Sequence, residues 1–272
     1  MPTVVAANIE VHSKMAGTYD ELEPHFRPEN QAKVRKVLEA LRQRAPGGKL
    51  LDLGCGTGFI IHLARDLFSE IHGVDVTQAM LDRVELSPGN IKLHNAPAET
   101  LPFADATFDV VSSYAFIHHT EDYWKVLAEA SRVLKPGGLC YVDLEPNKQF
   151  WDHVGRLSSD DPKLSPLVQK ARASVTETDQ QVERDFGIPA ETFRQAEFTK
   201  AILGGLDAGE IVRRSTELGF KSVEVRREWY LGQGEVMHGR SFEEAARIEE
   251  YLRSIAPLSD HLFKYLQFVF VK

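Results

Sequence analysis

Three glycines at every second position, Gly54, Gly56 and Gly58, directly follow the apolar run Leu50-Leu51-Asp52-Leu53. Glycine adopts positive φ readily and has no Cβ, so a main chain with this spacing can turn sharply and approach a ligand closely. Dinucleotide folds that bind a pyrophosphate use G-x-G-x-x-G, in which the last glycine lets the next helix pack closely. The G-x-G-x-G spacing here predicts a nucleotide-type cradle at the end of a strand.

A carboxylate follows the glycine loop at the sequence separation expected of a residue that binds ribose. The short run Ile71-His72-Gly73-Val74 predicts a second strand, and Asp75 ends it about 20 residues after the first glycine. An ionised carboxylate only accepts hydrogen bonds, so Asp75 can receive both hydroxyl protons of a ribose. The alternative role for Asp75 is an N-cap on the following helix.

Four more segments follow in order and complete a recognisable series. They are Ala98-Glu99-Thr100-Leu101-Pro102-Phe103, Thr107-Phe108-Asp109-Val110-Val111, Phe116-Ile117-His118-His119 and Arg132-Val133-Leu134-Lys135-Pro136-Gly137-Gly138. With the glycine loop and Asp75, the chain resembles the class I S-adenosylmethionine (SAM) dependent methyltransferases over roughly residues 15–145. The resemblance implies a SAM-dependent methyltransferase that acts on a small molecule through an O, N or C nucleophile.

The resemblance also implies a cofactor site and roles within it. Its expected members are Tyr19, Asp52, Gly54, Cys55, Gly56, Asp75, Val76, Met80, Ala98, Glu99 and Ser113. Among them, Asp52 would organise the methionyl end of SAM, whereas Val76 and Met80 would pack against adenine. Many relatives bind the adenine amine with an aspartate where this chain has Pro97, which offers neither a side-chain acceptor nor an N–H. Asn95, the Ala98 N–H and Glu99 are the open alternatives, with Ala98 favoured because its role depends only on the main chain.

Two residues could take part in the chemistry itself. His118 follows the fourth strand, where the family often places substrate-facing residues, and it could accept a proton or make a structural hydrogen bond. Tyr19, in Gly17-Thr18-Tyr19-Asp20, resembles the family's N-terminal segment that folds over the cofactor. Its ring or hydroxyl could face the sulfonium, or the ring could simply pack the N-terminal arm.

The sequence favours a reaction without a metal. The methyl group of SAM is already electrophilic, and good alignment alone reaches effective molarities of about 10⁵ to 10⁸ M. No H-E-x-x-H spacing occurs, and no carboxylate ends the fourth strand at Ser112-Ser113-Tyr114-Ala115, although Asp143 and Glu145 lie near the end of the next strand. We therefore expect positioning of the nucleophile against the sulfonium methyl, and no catalytic metal.

Alternating strand and helix patterns predict an α/β fold. The expected architecture is a Rossmann-like, seven-stranded, mostly parallel sheet flanked by helices, with a helical cap inserted after the fifth strand. We expect an N-terminal arm and SAM-binding core over 1–144, the cap over 145–206, and completion of the same sheet over 207–272. Start signals for helices are Ser165-Pro166, Ile188-Pro189, Asp207 with Glu210, and Ser241 with Glu244.

Composition and charge indicate which kinds of binding partner and which cellular location to expect. The net charge of −8 argues against a broad nucleic-acid surface, which needs clustered lysine and arginine. No secretory leader or membrane span is evident, so we expect a cytoplasmic protein; the sequence leaves its oligomeric state open. Two alternatives remain: a SAM-binding regulatory or non-methylating protein, and an NAD-dependent oxidoreductase, which the glycine spacing disfavours.

Overall fold

Seven strands form a single sheet in the computed structural model, which describes residues 2–45, 47–158 and 161–272. The strands are β1 (Lys49–Leu53), β2 (Glu70–Asp75), β3 (Ile91–Asn95), β4 (Phe108–Tyr114), β5 (Leu134–Pro146), β6 (Ser222–Tyr230) and β7 (Phe263–Val271). Their order is β3-β2-β1-β4-β5-β7-β6. Strands β1 to β5 pair in parallel, and β7 is antiparallel to both β5 and β6. The prediction of a seven-stranded, mostly parallel sheet is confirmed.

Helices cover both faces of this sheet. Before β1 lie α1 (Val4–Met15), α2 (Tyr19–Leu22), a 3₁₀ turn (Pro24–Phe26) and α3 (Pro28–Arg44). Between β1 and β5 lie α4 (Phe59–Ala64), α5 (Gln78–Leu81), a 3₁₀ turn (Ile117–His119) and α6 (Tyr123–Val133). After β5 come α7 (Lys148–Gly155), α8 (Pro166–Thr176), α9 (Thr178–Phe186), α10 (Ala190–Ala196), α11 (Phe198–Ala201) and α12 (Ala208–Arg214). Between β6 and β7 lie α13 (Gln233–Gly239), α14 (Phe242–Ser254) and a 3₁₀ turn (Asp260–Leu262).

Side-chain caps begin three of the predicted helices. Ser165 accepts a hydrogen bond from the third residue of α8, Asp207 does so for α12, and Ser241 for α14. Each cap satisfies one of the backbone N–H groups that a helix leaves without an internal partner. These start signals are therefore confirmed, while the assignment of residues 145–206 to a separate cap stays a prediction.

The sheet order creates a crevice at one edge. Strand β1 lies between β2 and β4, so the chain leaves β1 toward one face of the sheet and β4 toward the other. Ligands of open α/β sheets bind where the strand order reverses in this way, beyond the carboxyl ends of the strands. The glycine loop after β1, Asp75 at the end of β2 and the loop after β4 all lie at this edge.

The N-terminal arm, residues 4–26, lies across the crevice. Helix α1 packs Ala7 and Val11 against apolar side chains of α10 and its neighbours. The side-chain amide of Asn8 donates to the His119 carbonyl at 2.9 Å. The Thr57 hydroxyl donates to the Asp20 carboxylate at 2.6 Å. Both ends of the arm are thus tied to loops that surround the crevice.

No helix among the described residues is long and apolar enough to cross a membrane.

Candidate functional site

A cavity opens at the carboxyl ends of β1, β2 and β4, with an empty volume of about 890 Å³ when its open mouth is included. Ten of the eleven residues predicted for the cofactor site line it: Tyr19, Asp52, Gly54, Cys55, Gly56, Asp75, Val76, Met80, Ala98 and Glu99. Ser113 is not part of this lining; it is buried within β4. The neighbouring Ser112 is the serine that contacts a predicted site residue, because its hydroxyl donates to Asp52.

The glycine loop has the geometry that its spacing predicts. Gly54, Gly56 and Gly58 have φ values of 64°, 51° and 95°. A Cβ on Gly54 would lie 2.0 Å from ring carbons of Phe116, whereas a Cβ on Gly56 would meet only the end of Met80, at 3.6 Å. Gly54 is therefore required both for its backbone conformation and for the close approach of Phe116, which also lines the cavity.

The Asp75 carboxylate fixes the glycine loop through hydrogen bonds and can still accept further hydrogen bonds. One carboxylate oxygen accepts from the Gly56 N–H at 3.0 Å, and the other accepts from the Thr77 N–H at 2.8 Å. The N-cap of α5 is Thr77, so Asp75 precedes the cap rather than forming it. Because each carboxylate oxygen can accept about two hydrogen bonds, both oxygens can still receive a donor from the cavity.

Asp52 is a buried carboxyl group facing the same cavity. It is 2% exposed, and its Oδ1 accepts from the Ser112 hydroxyl at 2.8 Å. Burial, together with the nearby Asp75 charge, raises its pKa to about 8, although the bond from Ser112 acts in the opposite direction. An added positive charge in the cavity would favour its ionised form.

Two of the three alternatives for adenine line the cavity. Ala98 and Glu99 belong to its wall. Asn95 is exposed, and its side-chain amide donates to the Asp75 carbonyl at 3.2 Å. The geometry thus leaves Ala98 and Glu99 available to a ligand at this end.

The loop after β4 separates the two adjacent histidines. His118 is 7% exposed, and its Nδ1 donates to Glu145 at 2.8 Å, whereas His119 lines the cavity. Glu145, fully buried in β5, also accepts the backbone N–H groups of Phe116, Ile117 and His118. The four donors fix His118 in a structural hydrogen bond and fix the shape of this loop.

An aromatic wall of the cavity was not predicted from the sequence. His25 packs its ring against Phe26 at 4.7 Å, Phe59 at 4.8 Å and Tyr114 at 5.5 Å between ring centroids. Tyr19 lies at the edge of this group, 6.2 Å from His25. Burial raises the pKa of Tyr19 well above its usual value, so its hydroxyl keeps its proton. The one sequence signal was the position of His25 just after the segment that resembles the family's N-terminal arm.

His118, His119 and Glu197 place potential metal-ligand atoms within 4.8 Å of one another. Lys200 donates to Glu197 at 2.7 Å, and His119 Nδ1 donates to the Ala196 carbonyl at 3.0 Å. Burial raises the pKa of Glu197, but Lys200 and the two histidines outweigh this and hold the pKa well below its usual range. These side chains already pair with each other, and the expectation of no catalytic metal stays a prediction.

Known proteins match the segment that carries the cavity. Residues 51–142 match the family described as a methyltransferase domain. Demethylmenaquinone methyltransferase of Listeria welshimeri is 33% identical over 155 residues, which are 53% of this chain and 66% of that protein. Dimethylglycine N-methyltransferase of Parasynechococcus marenigrum is 34% identical over 144 residues, half of each chain. The chain thus spans between half and two thirds of the length of these relatives.

The fold is also found among solved structures. A SAM-dependent methyltransferase from Mesorhizobium loti superimposes with a TM-score of 0.56 at 17% sequence identity, over 87% of this chain and 96% of the other. Because the sequence identity is low, this likeness concerns the fold alone. The family match, by contrast, runs from within β1 to within β5 and includes the loops around the crevice. Residues 51–142 are therefore a methyltransferase domain, and they carry most of the strand ends and loops that enclose the cavity.

Proposed function

We propose that this protein transfers the methyl group of SAM to a small-molecule acceptor with an O, N or C nucleophile, by positioning and without a metal. The observation that carries the proposal is the cradle around Gly54. A bare backbone there, packed on Phe116, forms one wall of a cavity whose other walls hold Asp52 and Asp75. A side chain at residue 54 would displace Phe116, which lines the same cavity, so the glycine preserves the shape of the space in which a nucleoside would bind.

The residues of the cavity would divide the cofactor between them. Asp75 would accept the ribose hydroxyls with the acceptor capacity that its two backbone bonds leave. Asp52 would face the methionyl end, and Ala98 with Glu99 would meet adenine. SAM would supply an electrophilic methyl group, while the protein aligns the acceptor and excludes water. Tyr19 would lie beside the sulfonium. The hydrogen bond of His118 to Glu145 supports a structural role for His118 rather than the role of a general base.

Replacing Asp75 with alanine is expected to weaken SAM binding by about 1.5 to 3 kcal/mol, the range for hydrogen bonds to charged groups. The substitution removes the ribose acceptor and also frees the Gly56 and Thr77 N–H groups. Isothermal titration of the folded variant measures the change. Asp82→Ala, on the exposed side after α5, is the matched control; an unchanged dissociation constant for Asp75→Ala would remove Asp75 from the site.

SAM binding is expected to release a proton and to strengthen as pH rises toward about 8. Asp52 has a pKa of about 8 in the free protein, so it is mostly protonated at pH 7. The cationic ligand lowers this pKa, and the complex then holds fewer protons than the free protein. Affinity therefore rises by at most about tenfold per pH unit below pH 8 and levels off above it.

Titration calorimetry in buffers of different ionisation enthalpy counts the released protons. In Asp52→Asn, protons that the ligand itself releases or takes up are still counted, but the release from the Asp52 carboxyl should disappear. Equal proton release in the variant and the wild type would contradict the placement of Asp52 beside the cationic end of the ligand.

A metabolite screen tests the activity directly. The protein and SAM are incubated with cell extracts, and products that gain one methylene unit are sought by mass spectrometry, with Asp75→Ala as the control. We expect at least one product that depends on both the enzyme and SAM. SAM binding without any such product would favour the non-methylating alternative, and tight NADH binding without SAM binding would favour the oxidoreductase. The cytoplasmic location and the absence of nucleic-acid partners stay predictions.

A further inference from the structure

A second, wider cleft adjoins the cofactor cavity. Its empty volume is about 1790 Å³ with its mouth included, and apolar and aromatic side chains form much of its wall. Leu167, Trp229, Tyr230 and Tyr265 are examples. Such a wall suits a ligand that is largely apolar and contains a ring.

Only two residues, among those described, line both spaces. They are His25 and Tyr114, whose ring centroids are 5.5 Å apart. His25 and Tyr114 therefore stand between the two spaces, and a ligand in the cleft comes nearest to the cofactor cavity at these residues. Leu144 and Trp229 on the cleft wall have φ values of 58° and 59°, a conformation that L-residues rarely adopt. Backbone strain of this kind concentrates at functional sites because the surrounding structure must maintain it.

His25 is a buried polar group that lacks a hydrogen-bond partner. It is 5% exposed, and its Nδ1 accepts or donates no hydrogen bond among the described residues. The nearest carboxylate oxygen, from Glu23, lies 3.6 Å from Nδ1. Burial lowers the pKa of His25 to about 4, so at neutral pH the ring is uncharged and one nitrogen carries a free lone pair. Leaving such a group unpaired in a protein interior is unfavourable, and a ligand donor would relieve this.

We infer that the cleft holds a largely apolar, ring-bearing acceptor and that His25 accepts the proton of its O–H or N–H group during methyl transfer. This inference rests on the proposed function. The acceptor lone pair forms the new bond to carbon, and the electron pair of the broken carbon–sulfur bond stays on sulfur. The acceptor proton passes to His25, so one positive charge leaves the sulfur and one appears on the imidazole. Glu23 stands beside that imidazole and stabilises the charge.

The two histidines after β4 are less suited to this role. His118 gives its Nδ1 proton to Glu145 and lies outside the lining of both spaces. His119 lines the cofactor cavity but does not line the cleft, and its Nδ1 is bonded to the Ala196 carbonyl. Among the described residues, His25 is the histidine that lines both the cleft and the cofactor cavity, whereas His238 lines the cleft alone.

A pair of probe compounds tests the inference without knowledge of the natural acceptor. The first, 2-naphthol, has an apolar ring system and an O–H donor; the second, 2-methoxynaphthalene, has the same rings without the donor. The wild-type chain should bind 2-naphthol about 3- to 10-fold more tightly than 2-methoxynaphthalene, since a typical hydrogen bond contributes this much. His25→Phe keeps the aromatic packing and should abolish the preference. His153→Phe, at an exposed histidine, should retain it.

Each outcome of this calorimetric test decides the inference. Failure of the wild type to bind either compound, or an undiminished preference in His25→Phe, would overturn it. His25→Asn, whose shorter amide withdraws from the cleft, serves as a second variant if His25→Phe does not fold. SAM affinity is measured on the same samples. A wild-type protein that does not bind SAM would contradict the proposed function, independently of the result with the two naphthalene compounds. In the metabolite assay, His25→Phe should lose about 10²- to 10⁴-fold in rate, the usual contribution of a positioned proton acceptor.

Discussion

Gly54→Ala is expected to lower the free energy of unfolding by about 2 to 5 kcal/mol and to weaken SAM binding about tenfold or more. Two effects add at this residue. A left-handed conformation is unfavourable for alanine by about 1 to 2 kcal/mol, and the new Cβ would lie 2.0 Å from the Phe116 ring. Overpacking of this kind typically destabilises by about 1 to 3 kcal/mol. The displaced Phe116 ring would then move within the cofactor cavity that it lines.

Gly56→Ala separates these two effects. Gly56 has the same left-handed conformation, but its new Cβ would meet only Met80, at the ordinary contact distance of 3.6 Å. We therefore expect a loss of about 1 to 2 kcal/mol, from the conformation alone. Urea denaturation of both variants, with SAM titrations alongside, measures the difference. Equal destabilisation of the two variants would mean that the approach of Phe116 to the loop is not what requires glycine at residue 54.

Glu145→Gln is expected to destabilise the fold by about 2 to 5 kcal/mol, because a hydrogen bond to a charged group contributes about 1.5 to 3 kcal/mol and buried donors would lose their acceptor. The carboxylate is fully buried and accepts four N–H groups, three from the backbone of residues 116–118 and one from the His118 ring. A glutamine has one carbonyl oxygen for these donors and turns an N–H₂ group toward the others. The loop after β4 would then lose the contacts that fix its shape.

Glu224→Gln is the matched control for this change. Glu224 pairs with Arg44 on the surface, where its side chain is 58% exposed, and such pairs contribute about 0 to 1 kcal/mol. Denaturation midpoints and slopes of both variants give the comparison. If Glu145→Gln were as mild as Glu224→Gln, the four-donor arrangement would not be what holds the loop.

The fold could be predicted to a large extent because local signals and tertiary structure agree. Residues 108–113 of β4 are all buried, so the apolar side chains of this strand do not alternate strictly with exposed polar ones. Caps at Ser165, Asp207 and Ser241 act within one helical turn, which makes them visible in the sequence. Residues 77–86 have the pattern of a helix, but the structure forms one only over Gln78–Leu81. The next apolar side chain, Val84, is buried beyond the end of this helix.

The sequence predicted only those parts of the site that a single short segment forms. The glycine loop and Asp75 lie at strand ends, and their main-chain roles follow from residue type and spacing. His25 belongs to a three-residue turn with no periodicity, and it reaches the cavity because the arm folds over β1 and β4. His118 and His119 look equivalent in the sequence. The distant Glu145 distinguishes them, since it binds the first and leaves the second facing the cavity.

The boundary formed by His25 and Tyr114 has an evolutionary consequence. The far wall of the cleft comes from α8 and from residues 229–239, both outside the segment 51–142 that matches the methyltransferase domain. Under the proposed function, substitutions in that wall would alter which acceptors fit the cleft and leave the matched segment around the cofactor cavity unchanged. Selection for a new acceptor would therefore act first on α8 and on residues 229–239, and a designer who wishes to change the acceptor would begin there.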